Sequence, residues 1–125
     1  REVIKLRREG KRMVVGLITD QSPNISEAHH WTTFLHQDTV FMDGGERIAK
    51  LMNFPVFYCE LQRTSRGHCK ASFELLTETP KQTADGEITE LFVRRLEQTI
   101  RREPAYWFWS HKRWKIKREN TVLHG

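Results

Sequence analysis

Met13-Val14-Val15-Gly16-Leu17-Ile18-Thr19-Asp20 is a continuous apolar run closed by a carboxylate. A run of this kind, rather than an alternating one, predicts a strand covered on both faces, as in a parallel sheet. Asp20-Gln21-Ser22-Pro23 then falls just past its carboxyl end, where open α/β sheets place their ligands. Before it, Val3, Ile4 and Leu6 stand among charges and stop at Gly10, the pattern of a closing helix. After it comes a long irregular stretch, residues 24–42, in which residues 31–35 are apolar enough for a short strand or a wall. Irregular segments of that length inside compact domains are usually functional or disordered, and Trp31, Phe34 and Phe41 argue for order here.

Asp43-Gly44-Gly45-Glu46 has the offset of a capping box, with Asp43 as N-cap and Glu46 reaching back to it. The helix it opens runs through Ile48, Ala49, Leu51 and Met52 and is closed by Asn53 and Pro55. Residues 56–61 and 69–75 are strand candidates around Arg63-Thr64-Ser65-Arg66-Gly67 and read as a hairpin. In the second of them Cys69, Ala71, Phe73 and Leu75 alternate with polar residues, so one face is wet. Ile88, Leu91, Phe92, Leu96 and Ile100 then follow helical spacing up to Pro104, giving a single apolar stripe directed at the sheet. Helix, strand, crossover helix, hairpin and helix in that order predict an α/β fold, a mixed sheet flanked by helices.

The chain has 125 residues and is 38% hydrophobic, enough for one domain with a modest core. Arg1 stands where an initiator Met would, and the chain is read as part of a longer protein. No stretch approaches the roughly 20 apolar residues of a membrane span, and no signal peptide is visible. The net charge of +5 is unevenly placed: from Arg94 onward nine Lys or Arg face three Glu, while the first 93 residues are nearly neutral. Such asymmetry favours phosphate-bearing partners at one surface, against the plain alternative of a solvated helix face and a loose tail. Cys59 and Cys69 make neither a metal signature nor a disulfide framework. A cross-strand disulfide is conceivable, and buried thiols are the favoured reading.

The C-terminal segment is the most distinctive. Tyr106-Trp107-Phe108-Trp109-Ser110-His111-Lys112-Arg113-Trp114-Lys115 concentrates three of the four tryptophans in eight residues and interleaves them with cations. Indole offers a large apolar surface and one donor, so this mixture suits a partner that is apolar and anionic at once, either lipid or nucleic acid.

Three blocks together resemble the lipid A biosynthesis acyltransferases, the late acyltransferases of Gram-negative bacteria. They are the apolar run ending in Asp20-Gln21; Phe34-Leu35 before a glycine-opened helix with Ile48-Ala49 and then Pro55-Val56; and Pro104-x-x-Trp107-x-Trp109-x-His111-x-Arg113-Trp114-Lys115. The resemblance covers residues 3–115 and implies residues 1–115 as the C-terminal part of one acyltransferase domain, a partial glycerolipid-acyltransferase-like sandwich, with 116–125 as a basic tail. It implies transfer of an acyl chain from acyl carrier protein to a hydroxyl of a lipid A precursor or related glycolipid, at the cytoplasmic face of the inner membrane. Acyl carrier protein, the glycolipid and an anionic membrane surface would then be the partners, with no nucleic acid, no cofactor and no metal.

Catalysis in this family is assigned to His-x4-Asp/Glu, in which the imidazole takes the acceptor's proton while the carboxylate orients it. The position five residues after His29, His30, His36, His68 and His111 holds Phe34, Leu35, Phe41, Phe73 and Ile116, so none of them forms the motif. The resemblance places the motif upstream of Asp20-Gln21, and this chain alone is expected to be inactive. The family's Phe-Phe-Gly is replaced by Phe34-Leu35-His36, which puts the geometry of that turn in question.

Substrate-binding candidates are Asp20, Gln21, Trp31, Phe34, His111 and Arg113. Asp20 and Gln21 either meet a substrate hydroxyl or cap a turn. Trp31 and Phe34 either line an acyl groove or belong to the core. Arg113 and His111 either grip a phosphate or fold the tail back on the sheet. Arg94, Arg95, Arg101 and Arg102 either face anionic headgroups or form a solvated helix face. His29, His30 and His36 lack the ligand set of a metal centre and read as surface histidines. Two other readings of the whole stay open: a nucleic-acid-binding module, and a family relative that binds lipid without catalysis.

Overall fold

The computed structural model describes residues 2–17, 23, 26, 29–104 and 113–114. Helix α1 spans Glu2–Arg8, strands β1 and β2 span His30–Phe34 and Gln37–Phe41, and helix α2 spans Gly44–Met52. Strands β3 (Val56–Ser65) and β4 (His68–Thr77), a 3-10 turn at Pro80–Gln82 and helix α3 (Glu87–Arg102) follow. The α/β class holds, and the described strands form two separate two-stranded antiparallel sheets, β1-β2 and β3-β4. Helix α1 ends as its sequence predicts: Gly10 takes φ +71, and the Lys11 amide returns to the Leu6 carbonyl.

The strand expected at residues 13–19 is not found in its described part. Residues 13–17 belong to no strand, and Val14 is 99% exposed. A parallel strand needs hydrogen-bonded neighbours on its edges, and the described strands satisfy one another in antiparallel pairs. Residues 30–41, read as mostly irregular, fold instead into the β1-β2 hairpin, with Phe34 opposite Gln37 across a two-residue loop. That loop is Leu35-His36, both left-handed at φ 50 and 65. A tight hairpin demands this geometry, which Asn-Gly adopts easily, while each ordinary residue there costs about 1 kcal/mol or more. The side chain of Glu97 supports the turn by accepting the Leu35 amide at 3.0 Å.

The core gathers where α3 crosses both hairpins. Phe34, Phe41, Tyr58, Val93, Leu96 and Ile100 are buried together, and Leu35, Leu76, Phe92 and Trp114 pack around them. The α3 stripe is therefore largely as its spacing predicts, with Val93 added and Leu91 left 40% exposed. On the β3-β4 side the expected polarity is reversed. Tyr58, Glu60 and Glu74 face α3, where Arg95 bonds both carboxylates and Tyr58 shares a 2.9 Å hydrogen bond with Thr99. The alternating apolar set lies on the opposite side, with Phe73 70% exposed. The ion pairs explain the orientation, because turning the hairpin over would leave Arg95 and the buried Glu60 without each other.

Both thiols are exposed, not buried, and both are free. Cys59 stands opposite Phe73 and Cys69 opposite Arg63, four positions apart along the ladder, or about 13 Å against a bridging limit of about 7 Å.

Glu46 does not close a capping box. Asp43 makes no side-chain cap bond, and its carboxylate instead pairs with Arg47. Glu46 reaches across to the start of α3, where it accepts the amides of Gly86 and Thr89 at 2.6 and 2.8 Å and the Thr89 hydroxyl at 3.0 Å. The first amides of a helix have no intrahelical acceptor and carry its positive dipole end, so a buried carboxylate there satisfies both. Lys50 reinforces the junction by donating to the Ala84 carbonyl at 3.1 Å. Burial by itself would raise the Glu46 pKa, and the hydrogen bonds from Thr89 and Gly86 with the charge of Lys50 bring it below the ordinary 4.5.

A folded-state pKa below the unfolded value means that this stabilisation is complete above about pH 4.5 and is lost as pH falls through the folded value. Replacing Glu46 by Gln should cost about 1–3 kcal/mol at neutral pH by weakening charge-assisted bonds to buried amides. The gap between wild type and Glu46→Gln should narrow as the pH is lowered below 4.5. Denaturant titrations across that range read both quantities.

Candidate functional site

Three of the six sequence-derived candidates lie on one structural unit, the β1-β2 hairpin with the short piece of chain at 113–114. Strand β1 carries Trp31 and Phe34. Trp31 stands opposite Val40, whose carbonyl accepts the Nη2 of Arg113 at 2.6 Å. The guanidinium lies 4.2 Å over the Phe41 ring and is 2% exposed. Trp114 completes the contact: its Nε1 donates to the Thr39 hydroxyl at 2.7 Å, and its ring stacks on Phe34 at 6.4 Å. Phe34 and Phe41 meet edge to face at 5.2 Å. Sequence alternation builds this surface, since Thr39 and Phe41 alternate along β2 and the hairpin offers rings and a hydroxyl to the incoming Arg-Trp pair.

Phe34 is fully buried and belongs to the core, while Trp31 is half-buried beside it. Asp20, Gln21 and His111 lie outside the described residues, as do Trp107 and Trp109. Thus Trp31 and Phe34 share β1, and Arg113 is held against its partner strand β2. Arg113 holds the chain after α3 against β2 with a cation, a ring face and a backbone carbonyl.

A second cluster joins the same face of this hairpin to α3. His30 Nε2 lies 2.7 Å from Glu90, whose other oxygen accepts the Thr32 hydroxyl at 2.8 Å and pairs with Arg94 at 3.1 Å. Arg94 also donates to Thr32 at 3.1 Å and to the Thr33 carbonyl, and it pairs with buried Glu97 at 2.6 Å. Burial works to raise the Glu90 pKa, and the hydrogen bonds of His30 and Thr32 with the charges of Arg94 and His30 hold it below 4.5. An imidazole oriented by a carboxylate can in general move a proton. Here the far edge of the ring, Cε1 and Nδ1, lies against Gly86, where an added Cβ would come within 3.0 and 3.1 Å. The pair therefore acts as a polar tie between strand and helix, and Gly86, at φ +84, is the residue that leaves it room. His29 and His36 are exposed.

The arginines expected on a headgroup-facing or solvated helix face are engaged with carboxylates of the chain itself. Arg94 meets Glu90 and Glu97, Arg101 meets Glu97, Arg95 meets Glu60 and Glu74, and Arg102 meets Glu60. Sequence reading missed Glu90 and Glu97 because an acid on a helix reads as solvated. The available signal was Glu97 standing between Leu96 and Ile100 on the stripe, a place where a carboxylate needs partners.

Truncating Arg113 removes the cation from a buried ring face and leaves the Val40 carbonyl without it. The Arg113→Ala chain should lose about 2–3 kcal/mol of stability, read as a lower thermal midpoint with reduced near-UV signal from Trp114. An unchanged midpoint would show that Arg113 does not hold the tail to the hairpin.

No helix among the described residues is long and apolar enough to cross a membrane. No curated protein and no solved structure matches the chain. The sequence model described as bacterial lipid A biosynthesis acyltransferase matches residues 1–116. That span takes in all three blocks of the resemblance, including the segment anchored through Arg113 and Trp114, and the chain belongs to the bacterial lipid A biosynthesis acyltransferase family.

Proposed function

We propose that this chain forms part of a membrane-associated acyltransferase. The enzyme moves a fatty acyl chain from the thioester of acyl carrier protein to a hydroxyl of a lipid A precursor or related glycolipid, at the cytoplasmic face of the inner membrane. The observation that carries the reading is the family match over residues 1–116, which extends through the tryptophan-rich ending. In the reaction the acceptor oxygen attacks the thioester carbonyl, a C–O bond forms and the C–S bond breaks. A base takes the hydroxyl proton and returns it to the departing sulfur, which leaves as the carrier's free thiol. No His-x4-Asp/Glu occurs in the 125 residues, so in this reading the base is not supplied by this chain.

What this chain contributes is the acceptor side. Trp31 lines it, with Phe34 and Arg113 holding that wall in position from the buried side. Asp20, Gln21 and His111 would add polar contacts to hydroxyl and phosphate groups, and Trp107 and Trp109 would meet the membrane interface among cations.

Two measurements test the proposal. The chain should partition onto vesicles containing a lipid A precursor in preference to vesicles of equal surface charge without it, and Trp107→Ala with Trp109→Ala should remove that preference. Salt-sensitive binding to single-stranded RNA without lipid preference would contradict it. Supplied with acyl carrier protein thioester and glycolipid, the chain by itself should leave the thioester intact. Turnover under those conditions would show that the base lies within these residues.

A further inference from the structure

The β3-β4 hairpin has two chemically different sides. Its helix-facing side holds both of its strand carboxylates, Glu60 and Glu74, bound to Arg95. The other side carries Phe57, Cys59 and Leu61 opposite Leu75, Phe73 and Ala71, followed by Arg63 opposite Cys69. Phe57, Leu61, Phe73 and Leu75 are 56, 70, 70 and 42% exposed. Beyond Arg63 the tip adds Arg66 and His68, both exposed, and the sequence between Glu60 and Glu74 contains no Asp or Glu. One face thus presents a strip of large apolar side chains running into a cationic tip.

From this arrangement we infer that the outer face of the β3-β4 hairpin docks on an anionic phospholipid bilayer, with Phe57, Leu61, Phe73 and Leu75 entering the interface and Arg63 and Arg66 on the lipid phosphates. Charge selects that occupant, because the only charged side chain within the strip's register is Arg63 and the carboxylates are held on the reverse side. Size argues against a second copy of the chain. The strip measures about 10 by 20 Å, on the order of 200 Å² per copy, whereas stable specific interfaces bury roughly 1,200–2,000 Å² in total. A bilayer needs no such area, since apolar insertion and attraction to anionic lipid add residue by residue. The inference deepens the membrane-associated reading above, on which it rests, by assigning a surface for it.

The test is co-sedimentation of the 125-residue chain with phosphatidylcholine vesicles and with phosphatidylcholine–phosphatidylglycerol vesicles, both free of glycolipid. Binding to the phosphatidylglycerol vesicles should fall about tenfold or more in a Leu61→Ser, Phe73→Ser chain, whose exposed substitutions leave the circular dichroism and melting curve unchanged. An Arg63→Glu, Arg66→Glu chain should lose the preference for phosphatidylglycerol. Equal binding by wild type and the Leu61→Ser, Phe73→Ser chain would overturn the inference, as would binding lost only with Trp107→Ala and Trp109→Ala. A wild type that ignores vesicles but dimerises through these residues, by sedimentation velocity, would overturn it in favour of self-association. Loss of glycolipid preference with hairpin-dependent phosphatidylglycerol binding intact would count against the acyltransferase reading alone.

Discussion

The described fold depends on a buried carboxylate, Glu97, on the inner face of α3. It accepts the Leu35 amide at 3.0 Å and pairs with Arg94 at 2.6 Å and with Arg101 at 3.6 Å. A lone buried carboxylate would be costly, and this one is tolerated because a backbone amide and two guanidinium groups meet it. In return it fastens a turn that Leu35 and His36 would not choose for themselves. Once that turn is held, β2 is held, and with β2 come Thr39, Val40 and Phe41, the groups that receive Trp114 and Arg113. The anchoring of Arg113 and Trp114 is therefore indirect: helix to turn, turn to strand, strand to the Arg-Trp pair.

The same helix serves the other hairpin with the opposite charge. On the β1-β2 side α3 offers carboxylates, Glu90 and Glu97, to a histidine, a hydroxyl and an amide. On the β3-β4 side it offers Arg95 and Arg102 to Glu60 and Glu74. Its N-terminus is fixed by Glu46 from α2. Polar contacts of this density make the helix a rigid spacer between two small sheets, and the apolar burial at Phe34, Phe41, Tyr58, Val93, Leu96 and Ile100 supplies the cohesion between them. This division also accounts for the exposed outer face of β3-β4: polar pairing claimed its inner side.

Helices and the long hairpin were legible in the sequence because their signals are local. Gly10 and Asn53 ended helices as such residues do, the α3 stripe followed its 3.6-residue period, and Arg66-Gly67 turned the second hairpin. What failed was what depends on distant partners. The run at 13–17 has strand composition without a described neighbour to pair with, and Glu46 has the offset of a capping box while its nearest orphan amides belong to another helix. Strand β2 was hidden because Leu35-His36 carries none of the usual turn chemistry. Phe34 and Arg113 stood out as candidates from the motif, and their burial was visible only once the hairpin and residues 113–114 were seen together.

The described fold requires that α3 hold the first hairpin through Glu97. Amide hydrogen exchange on wild type and Glu97→Ala reads this residue by residue. Protection should collapse at Leu35 and across Gln37 to Phe41 in the variant, while the paired amides of Tyr58 to Leu61 keep theirs. Uniform loss across both hairpins, or unchanged protection at Leu35, would show that the turn is held by something other than this carboxylate.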